Sequence, residues 1–273
     1  MGKIQDALLR VKESKRGQPQ GRRRLDQNAW GDAATETGVS LWPSLVQYEP
    51  DRGALEANRV IAGLDSSASG AAMSYNMLRT RVIKRMRDNG WSTLVVTSPD
   101  ANAGKSITAL NLAMSIAREY NQRVYLVDAD FRVPALYTYL GIEPQLQLTD
   151  YLDGKAEIDQ IVSGIGVERL YLVFNTVQHE HSAELLTSPR MQQFIAELKD
   201  RDPKGLIIYD APPLLAADDV LAFSPHVDAI LMVVAEGQTD RDDLAKAAQM
   251  LADSNVAGIV LNKSRDVGGQ GYY

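Results

Sequence analysis

Six short apolar runs, spaced along the last two thirds of the chain, restrict the folds open to it. They lie at residues 93–97, 123–128, 170–174, 206–209, 229–234 and 258–261, and Val, Ile and Leu fill them without alternating with polar residues. A strand with one wet face alternates. A strand buried on both faces does not, and such strands belong to parallel sheets covered by helices. Helical spacing occupies the gaps: Met73, Met77, Leu78, Val82 and Met86 mark a helix over 71–89, and another runs from Ile107 to about Glu119. The pattern predicts one α/β domain over 71–267, a mainly parallel central sheet flanked by helices on both faces.

The first 70 residues read differently. Residues 17–70 hold no sustained period and many Gly, Pro, Ser, Asp and Gln, which predicts a flexible linker with one docking patch at 41–48. Trp30 and Trp42 are isolated aromatics within it. Residues 1–16 predict a short amphipathic helix carrying Ile4, Ala7, Leu8 and Val11. Residues 1–24 hold eight Lys/Arg and two acids, hence +6; against the total of −6, the rest carries −12. A basic head on an acidic body suits an anionic surface or partner, not nucleic-acid binding by the whole protein. A frayed terminal helix is the simpler alternative. Asp6 stands where a myristoylation motif needs Ser or Thr. With no run near the ~20 apolar residues of a membrane span and no signal peptide, the expected location is the cytoplasm. Absent cysteine and three histidines exclude thiolate chemistry and disfavour a histidine-built zinc site.

Chemistry enters after the first run. Ser98-Pro99-Asp100-Ala101-Asn102-Ala103-Gly104-Lys105-Ser106 joins that strand to the helix opening at Ile107. Strand, tight turn and helix N-terminus, ending in Gly-Lys-Ser, aim backbone N–H groups at an anion. The reading is a P-loop NTPase: Lys105 reaches the β/γ-phosphates of ATP and the Ser106 hydroxyl holds Mg²⁺, with Asn102, Ala103, Gly104 and Ile107 completing the ATP-binding loop. Pro99 replaces the first Gly of the motif, and Asn102 sits where many such loops carry a second Gly. Asn is the non-Gly residue that best tolerates positive φ, so the turn can survive.

Two further runs end in acids: residues 124–128 continue as Asp128-Ala129-Asp130-Phe131-Arg132, and 206–209 as Asp210-Ala211-Pro212-Pro213. Ligands of parallel sheets sit at strand C-termini, so both runs deliver carboxylates to the edge that carries the loop. Mg·ATP chemistry uses hard oxygen ligands and a carboxylate that accepts a hydroxyl proton.

The loop together with Asp-Ala-Asp-x-Arg and Asp-Ala-Pro-Pro resembles the bacterial tyrosine autokinases of capsule and exopolysaccharide synthesis, relatives of the cell-division and partitioning ATPases. The likeness covers 71–273 and includes Leu78-Arg79-Thr80, Leu148-Thr149-Asp150-Tyr151-Leu152 and Leu261-Asn262-Lys263. It implies Lys105, Asp128, Asp130 and Asp210 as catalytic residues, with Ser106, Asp128 and Asp210 at the metal. It implies Asn262 near the adenine, and Tyr272 and Tyr273 in the 268–273 tail as phosphoacceptors. Implied partners are a membrane-bound polysaccharide co-polymerase as activator, further copies of the chain and a cognate phosphatase; the activator would hold the protein at the inner face of the cell membrane. The family's ring-assembly helix carries a Glu and two Arg spaced by three; here those places are Met73, Asn76 and Arg79. Two other readings stay open: a nucleotide-driven switch of the same machinery that transfers no phosphate, and a partitioning ATPase. Asp100 opposes the latter, because that branch places a second lysine there.

His179-Glu180-His181 reads as a polar loop, since i, i+2 spacing leaves two histidines without a third ligand. Tyr137, Tyr139 and Tyr151 read as packing or rim residues.

Overall fold

The computed structural model describes residues 41–43, 45–61, 70–119 and 122–264. The expected head helix at 1–16 and the 268–273 tail lie outside these residues. Strand β1 (Val46–Gln47) precedes helices α1 (Arg52–Ala57) and α2 (Gly70–Asn89), strand β2 (Thr93–Thr97), helix α3 (Lys105–Glu119) and strand β3 (Val124–Asp128). Three short helices follow, α4 (Leu136–Leu140), α5 (Leu148–Leu152) and α6 (Ile158–Ile161), then strands β4 (Val162–Gly164) and β5 (Leu170–Val173). Helices α7 (Ser182–Thr187) and α8 (Pro189–Arg201) lead to β6 (Leu206–Asp210), α9 (Asp219–Phe223), β7 (Ala229–Ala235), α10 (Arg241–Met250) and β8 (Val256–Asn262).

The eight strands form one sheet in the order β1-β4-β5-β3-β6-β2-β7-β8. Neighbours run parallel except β4 and β5. Every residue of β2, β3, β6 and β7 is buried, as the unbroken apolar runs require; the run at 258–261 departs from that expectation, because β8 closes one edge of the sheet and leaves Ile259 and Leu261 exposed. One face, with Val95, Val127, Tyr209 and Met232, packs on Phe194, Phe223 and Ala247 of α8, α9 and α10. The other, with Leu94, Val96, Leu126 and Ile208, packs on Val82 and Met86 of α2 and Leu110 and Met114 of α3. Each such side chain contributes roughly 1.5–3 kcal/mol by leaving water. Helix α2 ends where the sequence provides a stop: Gly90 takes φ +68° and the Trp91 N–H returns to the Met86 carbonyl at 2.9 Å.

Residues 41–43 and 45–61 fold against the domain: the patch expected at 41–48 does dock, and the linker expectation fails for 49–61. Val46 pairs with Ser163 of β4, adding β1 to the sheet edge. Trp42 is buried; its Nε1 donates to the Tyr125 hydroxyl at 3.2 Å, and the Arg201 guanidinium covers its ring at 4.5 Å. Leu55 and Val60 join the core beside α3, and Asn111 Nδ2 of α3 donates to the Arg59 carbonyl at 3.1 Å. A two-residue strand and a six-residue helix hold no readable period, and their order comes from tertiary packing. β4 escaped the sequence reading for the same reason. His179 and His181 lie in the connection just before α7. Tyr151 is fully buried, while Tyr137 and Tyr139 pack partly buried on the core.

Candidate active site

Strands β3, β6 and β2 are consecutive in the sheet, and register sets their carboxyl ends level: Asp210 pairs with Asp128 on one side and Val96 on the other. The loop 98–104 rises from the end of β2. Its backbone turns through Asn102 at φ +62° and Gly104 at φ +90°, so Asn102 takes the left-handed conformation that its side chain tolerates. Three neighbouring segments hold the loop from outside. Leu214 and Leu215, after the Asp-Ala-Pro-Pro run, donate their N–H groups to the Ser98 and Pro99 carbonyls at 2.7 and 3.0 Å. Thr239, after β7, donates to Asp100 Oδ1 at 3.1 Å. Asn262, at the end of β8, donates to the Ala103 carbonyl at 2.9 Å. Asn262 also seals Gly104: a Cβ there would collide with its Nδ2.

Lys105 and Ser106 open α3 beneath this loop. The Lys105 ammonium meets Asp130 Oδ2 at 2.7 Å, Asp210 Oδ1 at 3.3 Å and Ser106 Oγ at 3.0 Å, with its side chain 12% exposed. Burial opposes the Lys105 charge, but Asp210 and Asp130 outweigh it and raise its pKa. Asp128 is fully buried; its Oδ2 accepts the N–H groups of Ala135 and Leu136 at 3.1 Å, so the start of α4 cradles it. Burial, then the Asp210 charge, push the Asp128 carboxyl well above the usual range, against the pull of the Leu136 N–H and Lys105. The Asp210 carboxyl is also raised, by burial first and by Asp130, against Lys105. Asp130 Oδ1 takes the Arg132 and Val133 N–H groups at 3.2 and 2.9 Å, which turns the chain sharply after β3.

The structure therefore brings Lys105, Ser106, Asp128, Asp130 and Asp210 into one cluster, with Asn102, Ala103, Gly104 and Asn262 around the loop and Ile107 packed beneath. Tyr272 and Tyr273 lie outside the described residues. Sequence reasoning missed Thr239 and the pairing of Arg132 with Asp219, at 2.7 Å, because each joins segments far apart in the chain. Asp130 and Asp210 share one ammonium, with the Asp128 charge acting on it from farther off, and Asp210 Oδ2 is buried without a hydrogen-bond partner. That orphan oxygen beside the Ser106 hydroxyl fits a hydrated divalent cation, which takes one or two carboxylates and completes its shell from water and phosphate oxygens. The positive-φ loop ahead of the α3 N-terminus fits a phosphate chain.

Comparison with known proteins agrees with this geometry. Residues 94–270 match the CobQ/CobB/MinD/ParA nucleotide binding domain. The tyrosine-protein kinase YwqD of Bacillus subtilis is 29% identical over 214 residues, covering 78% of this chain and 89% of the relative. The tyrosine-protein kinase etk of Escherichia coli K12 is 27% identical over 201 residues, covering 73% of this chain; the chain spans only 27% of that longer protein. The solved kinase domain of the Escherichia coli tyrosine kinase ETK superposes with a TM-score of 0.67 at 26% identity, covering 76% of this chain and 81% of that one. The chain thus belongs to the CobQ/CobB/MinD/ParA nucleotide-binding family, and within it to the branch of the bacterial tyrosine kinases.

Proposed function

We propose that the chain is a Mg·ATP-dependent protein-tyrosine autokinase whose acceptors are Tyr272 and Tyr273. The observation that carries the reading is the position of Lys105, held by Asp130 and Asp210 at matched strand ends directly under the phosphate loop. Bound Mg·ATP would supply the γ-phosphoryl group, and its cation would offset the acid-rich cluster. In the absence of phosphate, Asp130 and Asp210 keep the Lys105 charge compensated. On nucleotide binding Lys105 would turn from them to the phosphate chain, and Ser106 and Asp210 would hold the cation. Asp128, with its buried carboxylate oriented by the α4 N–H groups, accepts the phenol proton as the tyrosyl oxygen attacks. Asn262 packs on the loop where the family likeness puts the adenine.

The same likeness supports a role in exopolysaccharide or capsule synthesis, with a membrane-bound co-polymerase as activator and a phosphatase that resets the tail. No described helix is long and apolar enough to cross a membrane, so that activator would bring the chain to the membrane. A second reading, a nucleotide switch without phosphotransfer, is favoured by one observation. Met73 and Asn76 replace the usual assembly residues, and Arg79 engages Asn76 Oδ1 and Ser115 Oγ at 3.0 and 3.1 Å. Incubation with Mg·ATP followed by phosphotyrosine detection separates the two. Wild-type chain should label and Lys105→Met should not; nucleotide binding without labelling, with the activator supplied, would favour the switch.

A further inference from the structure

The mouth of the cluster carries a second arrangement that the phosphotransfer scheme leaves unused. Asp219, at the start of α9, is fully buried, and so is Ser182 of α7. Ser182 Oγ donates to Asp219 Oδ1, while Asp219 Oδ2 receives Arg132 Nε at 2.7 Å. The Arg132 side chain is 35% exposed, so a fully buried acid and its buried hydroxyl partner fix the inner edge of an outward-reaching guanidinium. Arg132 lies two residues beyond Asp130, whose Oδ1 accepts the Arg132 N–H. Two large apolar side chains stand exposed near it, Val133 at 63% and Val177 at 44%. Their loops are tied together where the His179 N–H meets the Phe131 carbonyl at 2.8 Å. A guanidinium gripped through Nε presents its remaining N–H groups as a fork, the geometry that matches phosphate oxygens.

We propose that Arg132, flanked by Val133 and Val177, is a phosphotyrosine subsite that takes residues 266–273 of this chain after a first phosphorylation and presents the adjacent tyrosine for a second. The inference rests on the tyrosine-kinase reading. The occupant follows from the sequence: Tyr272 and Tyr273 are neighbours, so a phosphate on one leaves an acceptor hydroxyl within one residue. Asp219, Asp218 and Asp130 all act on the Arg132 charge, so the phosphate is recognised by the outward N–H fork of Arg132 and not by a net positive patch, and the approach Gly268-Gly269-Gln270-Gly271 is rich in glycine. Arg132 makes and breaks no bond. Each round transfers one phosphoryl group from ATP to a phenol oxygen, releasing ADP and the phenol proton; Arg132 is a positioning residue that holds the product of one round as the handle for the next.

The test uses two readouts on the full chain. First, fluorescent peptides of sequence 266–273, with and without phosphate on Tyr272, are titrated onto the Tyr272→Phe/Tyr273→Phe chain in the presence of a non-hydrolysable ATP analogue. The phosphopeptide should bind more tightly than its unphosphorylated twin, and Arg132→Ala should weaken it by about tenfold or more, with nucleotide affinity unchanged. Second, mass spectrometry of the chain after Mg·ATP should show doubly phosphorylated tail in wild type and arrest at one phosphate in Arg132→Ala. Equal affinity for the two peptides, no change in Arg132→Ala, or a parallel loss of nucleotide affinity would overturn the subsite. Should Arg132→Ala strand Asp219 and unfold, Arg132→Ala/Asp219→Asn removes both charges. Val133→Glu, at an exposed position, should weaken the phosphopeptide without touching the buried pair. A chain that never labels on tyrosine refutes the kinase reading, whereas the peptide titration still decides the subsite by itself.

Discussion

Replacing Asp210 with Asn should stabilise the nucleotide-free protein while abolishing its response to nucleotide. Three carboxylates, Asp128, Asp130 and Asp210, surround the single Lys105 ammonium, all nearly or fully buried. Asp210 Oδ1 needs only to accept from Lys105 Nζ at 3.3 Å, which an amide oxygen also does. Its Oδ2 has no partner, and an amide there offers hydrogens to neighbouring carboxylates. Removing one surplus buried charge should therefore raise stability by about 1–2 kcal/mol, within the range of single stabilising substitutions. For a domain of this size that corresponds to roughly 2–8 °C in Tm. The pH dependence carries the same sign. Burial raises the folded-state pKa of Asp210, so its ionisation disfavours folding. The penalty is absent below the unfolded value of about 3.9, grows as pH climbs toward the raised folded value, and is constant above it. Wild-type protein should accordingly lose this increment of stability on going from pH 4 upward, and Asp210→Asn should not. Saturating Mg·ATP at about 100 times its Kd adds roughly 2.7 kcal/mol to wild type, or about 5–10 °C, and should add little to the variant. Differential scanning fluorimetry across pH, with and without Mg·ATP, reads every quantity. A nucleotide-free Asp210→Asn protein that melts below wild type, or one that keeps the Mg·ATP shift, would refute the account of the cluster.

Other perturbations give equally definite outcomes. Trp42→Ala should cost about 3–5 kcal/mol in chemical denaturation, the range for emptying a buried large aromatic site, and should expose residues 45–61 to limited proteolysis. Asn102→Gly should leave stability unchanged or slightly higher, because φ is +62° there; Asn102→Val should lose about 1–2 kcal/mol, since a branched side chain strains that conformation. Gly104→Ala should weaken nucleotide binding beyond detection in equilibrium titration, because its Cβ would displace Asn262; the double variant Gly104→Ala/Asn262→Gly should recover part of it.

The central sheet was legible because its information is local. Strands β2, β3, β6 and β7 announce themselves as unbroken Val/Ile/Leu runs, because the helical crossovers that join parallel strands cover both faces of the sheet. The phosphate loop was legible for a similar reason: Gly104, Lys105 and Ser106 are contiguous, and the strand before them is the one that must bear them. The order at residues 49–61, and the partners of the patch expected at 41–48, were not legible. β1 and β4 are two and three residues long, too short to show a period, and Trp42 finds its place through Tyr125 and Arg201, which are remote in sequence. The same limit hid the partners that finish the site. Asn262 over Gly104, Thr239 on Asp100 and Asp219 on Arg132 each join loops that only the closed sheet brings together. The sequence also read Lys105 as a phosphate ligand alone, whereas without nucleotide it is held by Asp130 and Asp210. That second role comes from desolvation: a buried ammonium needs a counter-charge in both states.

The central claim, phosphoryl transfer to the chain's own terminal tyrosines, is tested most directly by mass spectrometry of the tryptic peptide Asp266–Tyr273 after incubation with Mg·ATP, for wild type and Lys105→Met in parallel. Phosphate on Tyr272 or Tyr273 in wild type and on neither in Lys105→Met is the predicted result. Unmodified tyrosines in a wild-type protein that demonstrably binds Mg·ATP, with the membrane activator present, would contradict it.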